Sequence, residues 1–473
     1  FVLENNLIVH PVNKKIIGRQ EEDKIVEISI EDIENQQLIP SEFKKETESA
    51  NPGYYKVHLY KPNIAVELTA TIRVGIHKYT FNKETDNKIL LDLYHRDKVL
   101  SSEINIENNS SISGFRQSEA WATNQYVYFY MEFSEPFLVD TIRNDSNKET
   151  EKLYKVVAFN KGLKEVIVKV GISAVSVEGA KENLKREASS WDFSSYKESA
   201  KTVWTKALNK IEVKDKNEEK LTVFYSALYH TMIAPNTFSD VNGNYRGMDQ
   251  KIHNDTLNTT YTVFSLWDTF RAAHPLYTII EQKRTSEFIN TFLKHYKQGG
   301  RLPVWELSSN ETECMIGYHS VSVIADAYTK GITNFDSKTA LEAMIYGANL
   351  NHFGLESYKK YGYIRAGDES ESVSKTLEYA YDDWCIAQFA KVQGDTETYT
   401  KFLLRSQSYK NSFDPTTYFM RARLNGGWFK PFDPAEVNFN YTEANSWQYS
   451  LFAPQDISGL IILFGGNNNF ENR

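Results

Sequence analysis

A single glutamate lies in an aromatic stretch near the end of the sequence. Glu443 is the only carboxylate between Glu436 and Asp456. Its neighbours are aromatic and amide side chains, namely Tyr441, Trp447, Tyr449, Phe452, Asn438, Asn440, Asn445 and Gln448. A carboxyl among rings is poorly solvated, so its charged form is disfavoured. Such surroundings suit a general acid near neutral pH, and rings mixed with amides suit the faces and hydroxyl rims of a sugar.

The same stretch has a structural interpretation as well. Thr442 is a suitable N-cap for a helix that runs through Trp447 to Leu451. Glu443 would then be an N-terminal helix carboxylate above a core-facing aromatic stripe. The stretch alone does not decide between a catalytic and a structural role for Glu443.

Three other polar loops contain residues that suit sugar binding. The loop 234–249 is rich in turn formers, and in the loop 265–275 Asp268 and Arg271 stand three residues apart beside Trp267. This spacing predicts that one helix face presents both charged side chains. The loop 299–320 adds Arg301, Trp305, Glu306, Asn310, Glu311 and His319.

Each of these loops also allows a structural explanation. Asp268 and Arg271 would form an intrahelical ion pair, and His319 would be a core histidine with satisfied hydrogen bonds. However, tryptophans and acidic residues recur together at several loops, on one side of successive predicted helices. This recurrence favours a funnel that binds a sugar.

Composition and charge exclude several classes of protein. The 473 residues are enough for two or three domains, and the aromatic content is 14%. The net charge is −8 and the basic residues are scattered, which argues against a nucleic-acid partner. No run approaches the ~18 apolar residues of a membrane span. The two cysteines, Cys314 and Cys385, cannot form a disulfide framework, and no CxxC or HExxH spacing indicates a metal site.

The first part of the chain, residues 1–175, has the pattern of β-structure. The predicted strands are rich in β-branched and aromatic residues and cover 54–60, 65–81, 88–94, 125–133, 155–160 and 165–173. The turn signals between them lie at Asn51 to Gly53, Asn82 to Asn87, Asn108 to Asn109 and Asn144 to Asn147. Many short strands with turns between them indicate a β-sandwich.

The rest of the chain has helical periodicity. Residues 176–215 predict linker helices. Beyond them, predicted helices cover 220–234, 265–282, 285–298, 317–332, 338–351, 372–394 and 396–413. Successive helices with no strand between them predict stacked helical hairpins in an α/α toroid. About eight helices are predicted, fewer than the twelve of six paired hairpins, so we expect a further polypeptide segment to complete the barrel.

The sequence resembles the glycoside hydrolase family 92 α-mannosidases from about residue 50 to 473. The matching blocks, in family order, are PGYYKVHL, ELTATIRVGIHKYTF, SGFRQSEAWATNQYVYFYMEFSEPF, FYSALYHTMIAPNTFSDVNGNYRGMD, SLWDTFRAAHPL, LPVWELSSNETECMIGYHS, GGWFKPFDP and YTEANSWQYSLFAPQD. The resemblance implies an α+β multidomain protein. Its expected parts are an N-terminal β-sandwich at 1–175, a helical linker at 176–215 and an (α/α)6 toroid catalytic domain at 216–473, incomplete in this chain.

The resemblance also implies an activity. Family members are calcium-dependent, inverting and exo-acting, so the expected substrate is terminal α-linked mannose on N-glycans or mannans. Glu443 is expected to be the general acid, and the expected location is periplasmic, cell-surface or secreted. The residues expected to line the pocket are Trp267, Asp268, Arg271, Trp305, Glu306, Asn310, Glu311 and His319.

Two departures from the family pattern leave other functions open. The Gly- and His-rich stretch of the family is not recognisable before residue 50, and the segment with the general base and calcium ligands has no counterpart before Arg473. We therefore expect the general base outside this chain and the calcium ligands mostly outside it. One alternative is a non-catalytic protein that binds mannose or glycans on the same scaffold. Another is a different toroid enzyme, such as an inverting phosphorylase or a trehalase, which phosphate dependence would identify.

Overall fold

The computed structural model describes residues 8–12, 42–60, 62–82, 87–95, 97–140 and 153–472. The chain forms two compact units. The first unit comprises Phe1–Arg246, Gln250–Thr262 and Ser308–Asn310, and the second comprises Gly247–Asp249, Val263–Leu307 and Glu311–Arg473.

Two antiparallel sheets form the greater part of the first unit. Their strands are β1 Ile8–Val12, β2 Ser49–Asn51, β3 Tyr54–Leu59, β4 Ile64–Ala70, β5 Val74–Phe81, β6 Lys88–Asp92, β7 Lys98–Asn108, β8 Ser111–Glu119, β9 Gln125–Phe133, β10 Leu138–Asp140, β11 Tyr154–Ala158 and β12 Glu165–Ser173. One sheet has the order β2-β3-β4-β5-β12-β9-β8-β7, and the other has the order β1-β6-β11-β10.

An apolar core lies between the two sheets. Leu91 and Val157 from the smaller sheet pack in one cluster with Val66 and Val168 from the larger sheet. The alternation of buried and less buried residues along β4 shows why period-two patterns form these strands. The predicted N-terminal β-sandwich is therefore confirmed.

Three helices follow the sandwich within the first unit. They are α1 Val177–Glu187, α2 Phe193–Leu208 and α3 Glu218–Thr231, and their N-caps are Ser176, Asp192 and Asn217. Each cap side chain accepts hydrogen bonds from first-turn backbone N–H groups, which otherwise lack partners. Four short strands complete the unit, namely β13 Asn236–Thr237, β14 Asn244–Arg246, β15 Ile252–Asn254 and β16 Tyr261–Thr262.

The second unit is predominantly helical. Its helices are α4 Leu266–Thr269, α5 Ala273–Ile280, α6 Gln282–Gly299, α7 Ser320–Thr329, α8 Ser337–Ala348, α9 Leu355–Tyr361, α10 Ser372–Val392, α11 Thr396–Arg405, α12 Ser446–Tyr449, α13 Ile457–Leu463 and α14 Asn467–Glu471. Short strands are β17 Phe264–Ser265, β18 Trp305–Leu307, β20 Phe413–Asp414, β21 Phe419–Met420, β22 Arg423–Leu424 and β23 Gly427–Trp428, while β19 Asn310–Glu311 lies at the division of the units. The long helix α10 packs against α7 and α11.

The predicted order of a β-rich domain and then a helical domain is confirmed. The domain bounds 1–175, 176–215 and 216–473 stay a prediction, as does the incompleteness of the toroid. Turn signals at Asn144 to Asn147, and most of those at Asn82 to Asn87, lie outside the described residues. Within the described ranges, we find no helix with the length and apolar character needed to cross a membrane.

Two local predictions are wrong. The single helix predicted over 265–282 is divided into α4 and α5, because the backbone at Ala272 (φ −148°) leaves the helical conformation. Arg271 therefore follows the end of α4 and does not share a helix face with Asp268. Thr442 is also not an N-cap, because the short helix α12 begins after Asn445, whose side chain forms a capping box with Gln448.

Candidate active site

Three fully buried acidic residues lie on helix α10. Glu378, Asp382 and Asp383 are each 0% exposed. Since residues four apart lie on one helix face, Glu378 and Asp382 face the same neighbours. A buried carboxylate is strongly destabilising unless it is paired and hydrogen-bonded, so the partners of these groups define a polar centre within the second unit.

Glu378 holds side chains from three separate segments of the chain. Its Oε1 atom accepts hydrogen bonds from Trp267 Nε1 at 3.1 Å, from Arg271 at 3.1 Å and from the Tyr449 hydroxyl at 3.2 Å. Its Oε2 atom lies 2.5 Å from His319 Nε2. Glu378 is therefore the common partner of three residues that the sequence predicts in the site, Trp267, Arg271 and His319.

His319 connects Glu378 to Asp382. Its Nδ1 atom lies 2.8 Å from Asp382 Oδ1, and its ring stacks on Phe270 with centroids 4.0 Å apart. Burial alone would lower the pKa of His319, but the charges and hydrogen bonds of Asp382 and Glu378 raise it to about 9. The imidazole is thus a cation at neutral pH. His319 is buried in the core, as one interpretation of the sequence expected, but it carries a charge.

The pKa values of the two carboxyls beside this imidazolium, Glu378 and Asp382, are shifted in opposite directions. Burial acts to raise the pKa of Glu378, but His319 and Arg271 outweigh it and hold that pKa below its usual value. Burial raises the pKa of Asp382 despite the opposing effect of His319. The charged form of Glu378 is therefore favoured by the two cations, His319 and Arg271, beside it.

Arg271 and Trp267 form a surface that is open to solvent. The Arg271 guanidinium lies 4.6 Å from the centre of the Trp267 ring and 5.4 Å from that of Phe452. Its side chain is 36% exposed, and Asp268 beside it is exposed and accepts a hydrogen bond from the Ser265 hydroxyl. The predicted alternative of an Asp268–Arg271 ion pair is wrong, because Arg271 pairs with Glu378. An indole, a guanidinium and an open carboxylate suit contacts with sugar hydroxyls.

Glu443 is an exposed residue on a tightly held backbone. Both of its neighbours, Thr442 and Ala444, are buried, and the Thr442 N–H donates to the Ser374 hydroxyl at 2.9 Å. The φ angle of Glu443 is 49°, in the left-handed region that non-glycine residues seldom occupy. Such a conformation persists only when the surroundings impose it, so the direction of this side chain is set by the fold.

The expectation that aromatic rings desolvate Glu443 is wrong. Tyr441 and Tyr449 are buried and pack on one another, with ring centroids 6.4 Å apart. Trp447 packs edge-on against Phe419 at 4.7 Å. Because the rings contact one another, they leave the Glu443 side chain in contact with solvent. The assignment of Glu443 as the acid stays a prediction.

Three acidic residues lie within electrostatic reach of Cys314. Burial raises the pKa of its thiol, and the charges of Glu443, Asp268 and Glu311 raise it further. These three carboxylates come from separate segments of the sequence. The fold therefore places the predicted acid Glu443 and two residues predicted to contact the sugar within electrostatic reach of one thiol.

The remaining predicted site residues have structural partners. Glu311 accepts hydrogen bonds from the backbone N–H groups of Val304 (2.8 Å) and Trp305 (2.9 Å), which fixes the half-buried Trp305. Glu306 is 0% exposed on β18. Asn310 belongs to the first unit. Its side-chain amide accepts a hydrogen bond from the backbone N–H of Asn124 and donates one to the Asn124 carbonyl. Glu311 thus positions a predicted wall residue, whereas Glu306 and Asn310 are enclosed by protein.

Glu378 and Asp382 are site residues that the sequence did not predict. The signal was present in SVSKTLEYAYDDWCIAQFAKVQG, an apolar helical pattern that contains three acids. A helix that is apolar on all sides is buried, so acids within it need charged or hydrogen-bonding partners. That rule would have identified the acids but not their partners.

The described residues do not form a calcium site. Among them, no group of three or more His, Cys, Asp or Glu side chains is arranged to hold a metal ion. Calcium prefers six to eight oxygen ligands, with carboxylates prominent among them. The part of the chain that the structure describes does not fit such an ion, so no chemical step is assigned to one.

Comparison with known proteins identifies relatives over both units. The chain is 34% identical to the α-mannosidase BT3965 from Bacteroides thetaiotaomicron, with a TM-score of 0.89 over 99% of this chain and 64% of that one. It is 28% identical to the inverting mannosidase BT2199 of the same organism, with a TM-score of 0.86 over 98% and 63% of the two chains. A curated relative from Arthroderma benhamiae, named "Uncharacterized secreted glycosidase", is 26% identical over 90% of this chain and 60% of its own length. The chain thus spans less than two thirds of each relative.

Two family models match the sequence. The glycosyl hydrolase family 92 N-terminal domain matches residues 20–173, and the glycosyl hydrolase family 92 catalytic domain matches residues 179–473. The second match alone covers more than half of the sequence, and it includes the Trp267 to Arg271 segment, helix α10 and Glu443. The chain therefore belongs to glycosyl hydrolase family 92.

Proposed function

We propose that this chain provides the general acid and part of the sugar-binding surface of an exo-acting α-mannosidase. The observation that carries the proposal is Glu443, an exposed carboxyl on an imposed backbone whose charge, like that of Asp268, reaches the Cys314 thiol. Family membership supports the chemistry, and one structure of the related BT3965 is a complex with mannoimidazole. The substrate is a terminal α-linked mannose of an N-glycan or mannan.

Glu443 is proposed to protonate the departing glycosidic oxygen. A bound sugar would cover the carboxyl and exclude water from the reacting bond. Arg271 and Asp268 are proposed to bind sugar hydroxyls, and Trp267 and Trp305 to contact the apolar sugar faces. With these roles, Arg271 and Trp267, which lie in one short segment, would contact the same substrate.

The reaction is proposed to invert the anomeric centre. Inversion requires a second carboxylate that activates water on the opposite face of the ring, about 6.5–9.5 Å from the acid. That base is proposed to lie outside this chain, in the part by which the relatives are longer. Calcium dependence is proposed for the whole protein on family grounds alone.

Export from the cytoplasm also belongs to the proposal. The support is the name of the curated relative, which describes a secreted glycosidase.

The test compares two substrates in the whole protein, supplied with calcium or with EDTA. The wild-type protein is expected to release mannose from an α-mannobiose, with the inverted anomer visible first by NMR. Glu443→Gln is expected to lower kcat on mannobiose by about 10²–10⁴-fold but to affect an activated aryl mannoside far less, because its leaving group needs little protonation. Equal loss on both substrates would remove Glu443 from the acid role. Glycan binding without release of mannose would support the non-catalytic alternative.

A further inference from the structure

We propose that Glu378 is a positioning residue that aligns the sugar-binding segment with the acid-bearing segment. The kinetic measurements that test this proposal rest on the proposed function. The relevant observation is that one buried oxygen, Glu378 Oε1, accepts from Trp267, Arg271 and Tyr449. Two donors come from the segment proposed to bind sugar, and the third comes from the helix that follows Glu443.

The first connection fixes the guanidinium and the indole relative to one another. Both Trp267 Nε1 and Arg271 lie 3.1 Å from the same Glu378 oxygen. Arg271 Nε also donates to the Trp267 carbonyl at 3.1 Å. Hydrogen bonds to a charged acceptor are about twice as strong as neutral ones, so Glu378 restricts the rotamers of both side chains.

The second connection reaches Glu443 through a short helix. Tyr449 ends α12, which begins directly after Asn445, two residues beyond Glu443. The opposite end of this helix is anchored where the Ser446 hydroxyl donates to the Met420 carbonyl at 2.6 Å. Loss of the bond to Glu378 would leave the Tyr449 hydroxyl buried without this acceptor, and α12 would shift with the loop that carries Glu443.

The negative charge of Glu378 is central to the proposal. His319 Nε2 lies 2.5 Å from its second oxygen, and Arg271 lies on its first. A neutral amide at this position would retain the volume and one acceptor oxygen. It would also place a donor N–H₂ against an imidazolium, so both cations would lose their shared anion.

Three variants separate positioning from simple filling of the core. Glu378→Gln keeps the size and removes the charge, whereas Glu378→Asp keeps the charge. Tyr449→Phe removes only the connection to the acid-bearing segment. A matched control is Glu287→Gln on α6, which removes another buried carboxylate paired with a lysine, Lys283, at 3.6 Å. Urea denaturation of every variant shows whether it folds.

The first readout does not depend on activity. The indole N–H resonance of Trp267, assigned by its disappearance in Trp267→Phe, is expected to move upfield in Glu378→Gln and to stay closer to the wild-type position in Glu378→Asp. An indole resonance unchanged by Glu378→Gln would overturn the proposal. This result is obtained even where the protein releases no mannose, so it is independent of the proposed function.

The second readout compares leaving groups. Tyr449→Phe is expected to lower kcat on mannobiose about tenfold with little change on an aryl mannoside, because only the acid is displaced. Glu378→Gln is expected to lower kcat/KM about 100-fold on both substrates and to weaken binding of mannoimidazole, with partial recovery in Glu378→Asp. Equal losses in Glu287→Gln, or wild-type kinetics in Glu378→Gln, would contradict a positioning role.

Discussion

The Nε2 atom of His319 lies 2.5 Å from Oε2 of Glu378, and neither side chain is more than 1% exposed. Asp382 holds the other nitrogen of the same ring at 2.8 Å. The centre of the second unit is therefore an ionic group of two acids and two cations, His319 and Arg271, where an apolar core would be expected. Removal of one member leaves a buried charge unpaired, which commonly costs about 3–5 kcal/mol.

The stability of the protein is expected to fall in mild alkali because of His319. Its pKa is raised to about 9 in the folded state, against about 6.5 in the unfolded chain. The stabilisation is thus fully present below pH 6.5 and is lost as the pH rises through 9, and it amounts to about 3 kcal/mol at most. Urea denaturation at pH 6.0 and 9.0 should show the loss, and His319→Gln should be less stable at pH 6.0 with a weaker pH dependence. If the stability of the variant depended on pH as strongly as that of the wild type, His319 would not be the cause.

Acid is expected to destabilise the protein through His274. Burial lowers its pKa to about 3, and its ring packs on Tyr277 and Phe288 with centroids 5.4 and 5.8 Å away. Below pH 6.5, His274 is protonated in the unfolded chain but stays neutral in the folded protein. Each pH unit between about 6.5 and 3 therefore costs about 1.4 kcal/mol.

The variant His274→Phe tests this assignment. Phenylalanine retains a planar ring and cannot be protonated, so its melting temperature should fall less between pH 6.5 and 4.5 than that of the wild type. His295, whose pKa is also lowered by burial to about 3, remains in the variant and should leave part of the acid sensitivity. A variant with the full acid sensitivity of the wild type would show that other groups cause it.

Replacement of Glu443 by glycine is expected to stabilise the protein slightly while it removes the acid. Glycine adopts a φ of 49° without steric cost, although it also gains freedom in the unfolded chain. The expected net change in the free energy of unfolding lies within about 1 kcal/mol and favours glycine over Glu443→Ala. Urea denaturation of both variants checks this order, and a less stable glycine variant would contradict an imposed backbone at this position.

Arg271→Lys is expected to weaken sugar binding although the charge is kept. Lysine cannot lie flat over the Trp267 ring and also reach the Glu378 oxygen and the Trp267 carbonyl. We expect about a tenfold weaker affinity for mannoimidazole, measured by isothermal titration calorimetry. Arg284→Lys on α6, where an exposed arginine pairs with Glu281 at 3.5 Å, is the matched control and should bind as the wild type does.

The sequence predicted regular elements better than it predicted the site. Strands β9 and β12 have the predicted bounds 125–133 and 165–173, because their runs of β-branched and aromatic residues meet a buried core. The hairpin of β7 and β8 was missed, since polar residues predominate along β7, where most side chains are exposed. A period-two rule detects a strand only when one of its faces is buried.

The site was predicted in part, for a definite physical reason. The segments around Trp267, His319 and Glu443 were identified from polar and aromatic residues in loops. Glu378 was missed because its partners are more than fifty residues away in sequence, and a single sequence contains no information on such pairings. The exposure of Glu443 was also mispredicted, since the rings beside it in sequence pack on one another.

The left-handed backbone at Glu443 has a consequence for ligand binding. Its buried neighbours fix the direction in which the side chain leaves the backbone before any sugar arrives, so association need not immobilise a loop. The entropic penalty of arranging this backbone is met once, during folding, and does not reduce the affinity of a ligand.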